Sequence, residues 1–318
     1  MLDPIILGQI GWTSLATTSY YVLFAVAFSL VLKVNRLFNF TQAAAMSIAF
    51  YAAYATVNLA GLPLVLGLGV SLAAVLLFSW VVETYGFSIL REKKASVLFI
   101  FIFTFMVSEF VAYLLMLTFG TWPTTIFKTL LWPVTLIGNI AVSHWDVPAI
   151  ASAAACCLML ALFLRFTRWG QFMIAVSDNP DLAELYGIDK RKVFLLAVMI
   201  AGALCAVGMI LYGSRSQVQP KTSLELMLFA TVATIVGGIG NIWGAAIAAI
   251  ALGFVQNASV LFIPSQLQGL LLYGFLFVAI IFFPAGLKLP ERKRTFESKT
   301  RQITPASGGA SPGEKLAE

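Results

Sequence analysis

Residues 225–262 read ELMLFATVATIVGGIGNIWGAAIAAIALGFVQNASVLF, a stretch that is apolar for longer than one membrane helix requires. A spanning helix takes about 20 predominantly apolar residues. The stretch is interrupted by GGIGN at 237–241 and again by Gly244, and glycines at this density weaken a straight helix. We therefore predict two short or half-helices that meet at a break.

The rest of the chain has the composition of a membrane protein. Hydrophobic residues make up 60% of the 318 positions, charged residues 11%, and the mean hydropathy is +0.93. A soluble domain carries about 25% charged residues, so this chain needs lipid over much of its surface. Other stretches that could span a membrane lie at 10–32, 37–58, 63–88, 95–118, 147–166, 193–213 and 267–284.

These stretches predict an all-α polytopic membrane protein with about 8–9 membrane segments, including broken or re-entrant helices. The transmembrane domain is expected at 1–290. A polar tail at 291–318 is expected to be disordered and cytoplasmic.

The basic residues predict the orientation. All of the 20 Lys and Arg residues except Lys128, Arg215 and Lys221 fall in one set of loops and in the C-terminal segment. The positive-inside rule then predicts that the N-terminus lies outside the membrane and the C-terminus in the cytoplasm. Because 214–224 lies outside and the tail inside, 225–262 must enter the membrane and return. The outer loop 119–146 carries Trp122, Trp132 and Trp145, and its part around 134–142 could form a short hairpin or an interfacial segment.

Several functions are disfavoured by the same residues. The basic residues form short runs between apolar stretches, which does not suit nucleic acid. The three cysteines lie in apolar stretches and His144 stands alone, so we expect neither a metal site nor a cofactor. The chain has no Walker A pattern and no catalytic constellation, so it is not expected to be an enzyme.

Polar residues at two helix starts are candidates for a substrate pathway. Asn39, Thr41 and Gln42 open a helix rich in small residues, and Asn241 with Gly238 and Gly240 opens another. In transporters such half-helix starts can present free N–H groups and a positive dipole end to a carboxylate. The alternative is helix packing, since small residues let backbones approach closely.

Glu109 joins this candidate pathway because it lies near the middle of an apolar helix. An acidic side chain at the bilayer centre costs about 2.5–3.5 kcal/mol on insertion scales, so it must be protonated, paired or hydrated. A structural hydrogen bond between helices is the other interpretation. Glu83 lies closer to the inner surface, where it can snorkel, and we assign it a structural role.

The inner loop before the sixth helix predicts a short helix at 180–186. Asn179 is a plausible N-cap, Pro180 fits the first helical position and Gly187 fits the stop. Its apolar residues, Leu182, Ala183 and Leu185, would be available to pack into a partner's groove. An amphipathic connector without a partner is the alternative.

Three motifs resemble the permeases of branched-chain amino-acid ABC transporters, of the high-affinity branched-chain amino-acid and urea type. GQFMIAVSDNPDLAELYGI at 170–188 is similar to their coupling loop, GGIGNIWGAA at 237–246 to their glycine signature, and LFNFT at 37–41 to the stretch after their first helix. The resemblance covers roughly residues 10–288. It implies import of branched-chain amino acids or a similar small polar solute, with the helix at 180–187 coupled to ATPases.

The resemblance also implies partners: a second permease subunit, two ATP-binding subunits that hydrolyse ATP, and a periplasmic solute-binding protein. The chain departs from the family where Gln42-Ala43 replaces His-Gly and Asn241 replaces Ser, so urea, short amides and other amino acids stay open as solutes. An ion-coupled secondary transporter or channel that uses Glu109 is the alternative function.

Overall fold

The structure is a computed structural model that describes residues 4–126, 134–137, 140–143 and 145–261, with the single positions 274, 277, 278 and 281. These residues belong to one compact unit, Met1–Lys288. The predicted helix at 267–284 lies almost entirely outside the described residues, as do the tail at 291–318, Lys128, Trp132 and His144.

Helices form nearly all of the described part. They are α1 (Pro4–Asn35), α2 (Thr41–Tyr54), α3 (Leu64–Val81), α4 (Ser88–Glu92), α5 (Val97–Phe119), α6 (Asp146–Phe166), α7 (Arg168–Asp178), α8 (Pro180–Leu185), α9 (Lys190–Gly213), α10 (Thr222–Gly237) and α11 (Ile242–Ser259). Two π-helical segments extend these helices. Ala55–Leu59 continues α2, and Val82–Phe87 joins α3 to α4. The strands β1 (Val134–Ile137) and β2 (Ile140–Ser143) pair antiparallel, so the alternating part of the loop 119–146 forms a hairpin.

Six helices within the described ranges are long and apolar enough to span a membrane. They are Ile5–Asn35, Leu64–Glu92, Val97–Phe119, Asp146–Phe166, Lys190–Gly213 and Ile242–Ser259. The all-α polytopic membrane class is therefore confirmed. The predicted total of 8–9 segments is not confirmed by these residues.

Helix α1 forms the centre of the bundle. Its residues from Leu23 to Phe28 have no exposed surface, and helices α6, α9, α10 and α11 pack around it. Glycines allow the closest approaches: a Cβ on Gly208 would lie 2.6 Å from the Phe24 ring, and one on Gly253 would lie 2.3 Å from Thr18 Cγ2. Small residues thus replace hydrophobic bulk at the helix crossings, as in membrane bundles generally.

The break predicted at 237–241 is present, between α10 and α11. Gly238 and Gly240 have φ values of 99° and 87°, a region that L side chains rarely adopt. A Cβ on Gly237 would lie 2.3 Å from the carbonyl carbon of Gly244, so the two helices touch through their backbones. The glycines are thus required both by the turn and by the crossing beside it.

Helices α10 and α11 form a hairpin whose open end lies beside the first half of α1. The Phe229 ring stacks on Tyr21 with centroids 4.0 Å apart, and the Thr234 hydroxyl donates to the Ala25 carbonyl at 3.4 Å. On the way back, Asn257 Nδ2 donates to Thr17 Oγ1 at 2.7 Å. Since Ala25 precedes the end of α1 by ten residues, the contact with α10 lies about 15 Å short of that end. Helices α10 and α11 thus run in opposite directions along α1, while the predicted entry of 225–262 into the membrane and its return stay a prediction.

Glu83 has a structural role, as predicted, but it is buried and does not snorkel. Its side chain is 3% exposed and forms an ion pair with Arg91 within the continuous helix α3–α4. The Arg91 guanidinium lies 4.7 Å from the centre of the Phe194 ring on α9. The ion pair offsets part of the cost of burying both charges, and the ring adds a cation–π contact to Arg91, but Glu83 Oε2 and Arg91 Nη1 have no hydrogen-bond partner among the described residues.

Candidate functional site

The first candidate residues lie at the start of α2. Asn39 Oδ1 accepts hydrogen bonds from the backbone N–H of Thr41, at 3.0 Å, and from the Thr41 hydroxyl. Asn39 has no exposed surface, and its Nδ2 finds no hydrogen-bond partner among the described residues. A buried amide donor without a partner is costly, which marks Asn39 as more than a helix cap.

Gln42 ties α2 to two other helices. Its Nε2 donates to the Ala27 carbonyl of α1 at 3.3 Å, and its Oε1 accepts from Cys205 Sγ of α9 at 4.0 Å. The residue is 2% exposed. In this conformation Gln42 therefore fixes helices rather than facing an open pathway.

The second candidate set lies at the α10–α11 break. Asn241 is half-buried and its Oδ1 accepts from the Gly244 N–H at 3.0 Å, so the side chain caps α11. It thereby occupies one of the backbone N–H donors that were predicted to be free to bind a solute.

Helices α2 and α10 contact α1 at nearly the same height but on different sides. Thr234 of α10 binds the Ala25 carbonyl and Gln42 of α2 binds the Ala27 carbonyl. Residues two apart on a helix point about 200° apart. The structure thus places Gln42 and Thr234 on different sides of α1, and the contacts of Gln42 do not include Asn241.

Glu109 occupies a different surface, on α5. It is half-exposed beside the stripe that faces the bundle, which is formed by Ile100, Thr104, Ser108, Ala112 and Leu115. Within the described ranges it has no ion pair. One turn further along α5, Tyr113 is 54% exposed, and Lys221 Nζ lies 5.4 Å from the centre of its ring.

The predicted short helix is α8, and its capping agrees with the sequence. Asn179 Oδ1 accepts from the N–H groups of Asp181 and Leu182 at 3.1 and 3.0 Å, and Pro180 takes the first helical position. Gly187 has φ 81°, and its N–H donates to the Glu184 carbonyl at 2.9 Å. These bonds end the helix at a defined place.

The exposed face of α8 differs from the predicted one. Ala183 is 4% exposed and packs against its own chain, so it is not available to a partner. Leu182, Leu185 and Tyr186 are 50%, 84% and 81% exposed and follow each other at helical spacing. Together they form an apolar knob, which we call the α8 knob.

Ion pairs join α8 to α9 and α9 to α4. Lys190 Nζ lies 2.6 Å from Glu184 Oε2, and Arg191 lies 3.1 Å from Glu92 at the end of α4. Asp189 caps α9: burial opposes its ionisation, but hydrogen bonds from the Lys192 side chain and from nearby backbone N–H groups lower its pKa overall. A displacement of α8 would therefore be felt by α9 and α4.

Helix α7 was not anticipated from the sequence, which suggested only a loop before α8. Thr167 Oγ1 accepts from the Gly170 N–H at 3.0 Å and starts the helix. A Cβ on Gly170 would lie 2.2 Å from the Phe163 carbonyl oxygen, so only glycine allows α7 to turn back onto α6. The signal was present in Gly170, but a close approach cannot be read from one sequence.

A buried polar cluster at the opposite end of the molecule was also missed. Asp146, 2% exposed, forms an ion pair with Arg215 and accepts from Trp12 Nε1 at 2.9 Å and from the Ser143 N–H at 3.2 Å. It joins α1, α6, the hairpin and the segment after α9. Because the partners lie far apart in sequence, no local sequence pattern predicts that they are in contact.

Replacing Asp146 by Asn should lower the free energy of unfolding by about 3 kcal/mol, because Arg215 would keep its charge in a partly buried site without a counter-ion. Thermal unfolding in detergent measures this. Asp181→Asn is the matched control, since the Asp181 side chain is 91% exposed and the change there should stay within about 0.5 kcal/mol. Equal melting temperatures for both variants would contradict the assignment.

Comparison with known proteins gives one family and several relatives. The model of the family described as "Branched-chain amino acid transport system / permease component" matches residues 12–281. The permease LivH of Escherichia coli is 27% identical over 159 residues, which is 49% of this chain and 52% of LivH, so that alignment spans about half of each protein. BraD of Pseudomonas aeruginosa is 23% identical over 287 residues, covering 86% of this chain and 92% of BraD.

The relatives are not confined to amino-acid systems. The xylose transport permease XylH of Haemophilus influenzae is 29% identical over 48% of this chain and 44% of its own. Among solved structures, PsaBC from Streptococcus pneumoniae, in complex with a Fab, has a TM-score of 0.52 and 14% identity, covering 89% of this chain and 97% of that chain. That likeness concerns the fold alone.

Proposed function

This chain belongs to the branched-chain amino acid transport permease family, and we propose that it is the membrane-spanning permease subunit of an ABC importer in the bacterial inner membrane. The solute is a branched-chain amino acid or a similar small polar molecule. The chain itself does not hydrolyse ATP: two ATP-binding subunits do so, a second permease subunit completes the pathway, and a periplasmic binding protein delivers the solute.

The observation that carries this proposal is the α8 knob. An apolar knob on a capped six-residue helix has no role within its own fold, since Leu185 and Tyr186 are more than four-fifths exposed. It suits a groove on a partner. The ion pairs from Lys190 and Arg191 would pass a push on α8 to α9 and α4.

A secondary transporter that uses Glu109 as an ion site is the second candidate. It is favoured by the half-exposed carboxylate in the middle of α5, without an ion pair in the described part of the chain. Such a carrier would have no use for the α8 knob, which is why we prefer the importer.

Purification of the tagged chain from its host membrane separates the two functions. The importer should yield a second permease and an ATP-binding subunit with the chain, and the eluate should hydrolyse ATP. A chain that purifies alone, from cells whose uptake follows the proton gradient, would overturn the proposal.

We propose that α8 faces the cytoplasm and the β1–β2 end faces outward, as the basic residues predict. Trp122 and Tyr186 are both 81% exposed and suit a matched labelling pair in a cysteine-free background. A membrane-impermeant maleimide applied to intact spheroplasts should label Trp122→Cys, whereas Tyr186→Cys should react only after permeabilisation. The reverse pattern would show that the orientation is inverted.

A further inference from the structure

A strip of three charged residues and one tyrosine crosses the exposed, otherwise apolar side of the helical bundle. It consists of Glu109 and Tyr113 on α5 and of Lys221 and Glu225 at the start of α10, all of them exposed or half-exposed. Lys221 Nζ lies 5.4 Å from the centre of the Tyr113 ring, a cation–π distance. Glu109 and Tyr113 are four residues apart, so their Cβ atoms lie about 6 Å apart on the same face.

Glu109 lies at a depth where lipid does not tolerate charge, whereas Lys221 belongs to the segment 214–224 that is predicted to lie outside the membrane. Glu109 follows the start of α5 by twelve residues and precedes its end by ten, which is about 18 and 15 Å. Its neighbours on α5, Met106 and Phe110, are 64% and 68% exposed and would suit an apolar environment. A carboxylate at this depth faces water or another protein surface rather than acyl chains.

Helix α2 contacts α5 on one side and the start of α10 on the other. Ring contacts of 5.5 Å between Phe40 and Phe101, and 4.9 Å between Tyr51 and Phe119, pack α2 against α5. On its other side, Ser47 Oγ donates to the Pro220 carbonyl just before α10, at 3.3 Å. Glu109 on α5 and Lys221 before α10 therefore lie on the two neighbours of α2, and we call the surface between them the groove.

We propose that this groove lines the translocation pathway and recognises an α-amino acid as a zwitterion. The solute carboxylate pairs with Lys221, and the ammonium group pairs with Glu109 and the face of Tyr113. The second permease subunit closes the open side of the groove. A neutral sugar carries neither charge and gains nothing from this arrangement. The inference rests on the proposed importer function and deepens it.

The test is transport by the complete complex in proteoliposomes, with saturating leucine-loaded binding protein and ATP hydrolysis measured in the same vesicles. Glu109→Gln and Lys221→Gln should each lower leucine uptake about 10- to 100-fold, the loss expected for one charged hydrogen bond. ATP hydrolysis should stay within about twofold, since docking of the partners does not involve the strip. The number of leucine molecules transported per ATP hydrolysed should therefore fall.

Matched variants control for the loss of the lysine charge and of the tyrosine ring. Lys93→Gln removes an exposed lysine at the end of α4 and should leave uptake unchanged. Tyr113→Phe, which keeps the ring, should transport better than Tyr113→Leu, whereas Tyr85→Leu, at a site 60% exposed, should behave as the parent chain does.

The outcomes separate this inference from the function beneath it. Normal uptake in both Glu109→Gln and Lys221→Gln, or ATP-driven transport of arabinose or xylose in place of amino acids, overturns the zwitterion site and leaves the importer standing. Leucine uptake by the parent chain without ATP overturns the importer itself.

Discussion

Leu185→Arg is expected to reduce ATP-dependent uptake at least tenfold while leaving the amount of protein in the membrane unchanged. Leu185 is 84% exposed at the tip of the α8 knob, so its own fold gains little from it. In a partner's apolar groove, an arginine would lose its hydration without gaining a counter-ion. A few buried central residues carry most of an interface's free energy, so a charge introduced at the tip of the knob should be costly.

Two variants make that result specific to docking. Leu185→Met keeps the apolar volume and should retain most of the uptake. Ala183→Arg should instead lower the amount of folded protein, because Ala183 is buried against its own chain. The readouts are uptake and membrane protein level for each variant. Normal uptake by Leu185→Arg would remove the α8 knob as the docking element.

Gly244→Val is expected to have the largest effect on stability, lowering the free energy of unfolding by about 3 kcal/mol or more. A Cβ at this position would lie 2.0 Å from the Gly237 carbonyl oxygen. That neighbour is backbone and has no rotamer to change, so α10 and α11 would have to separate. Loss of their contact would also expose the small apolar residues on α1.

Thermal unfolding in detergent measures this change. Gly69→Ala on α3 is the control, since a Cβ there meets no atom within 4 Å and alanine favours a helix over glycine by about 0.5–1 kcal/mol. A melting temperature for Gly244→Val equal to that of the parent chain would mean that the two helices do not cross as described.

The break in 225–262 was predictable because two independent signals agreed. Dense glycines at 237–244 forbid a straight helix, and the distribution of Lys and Arg requires that the segment return to its starting side. The cap at Asn179 and the stop at Gly187 were predictable for a similar reason, since both follow from local chemistry. Local rules need no knowledge of the rest of the chain.

The contacts of the candidate site could not be predicted in the same way. Which face of α8 is exposed depends on what lies beneath Ala183, and a six-residue helix has too little periodicity to reveal it. Gln42 was read as a pathway residue, but its partners, Ala27 and Cys205, lie on helices distant in sequence. The Asp146–Arg215 pair was hidden for the same reason.

The most direct test of the importer is leucine uptake into proteoliposomes that hold this chain, its second permease and its ATP-binding subunits, with binding protein added outside. We predict uptake that requires hydrolysable ATP inside, survives an uncoupler and stops when the binding protein is omitted. Uptake that proceeds without ATP and collapses with the proton gradient would contradict the account.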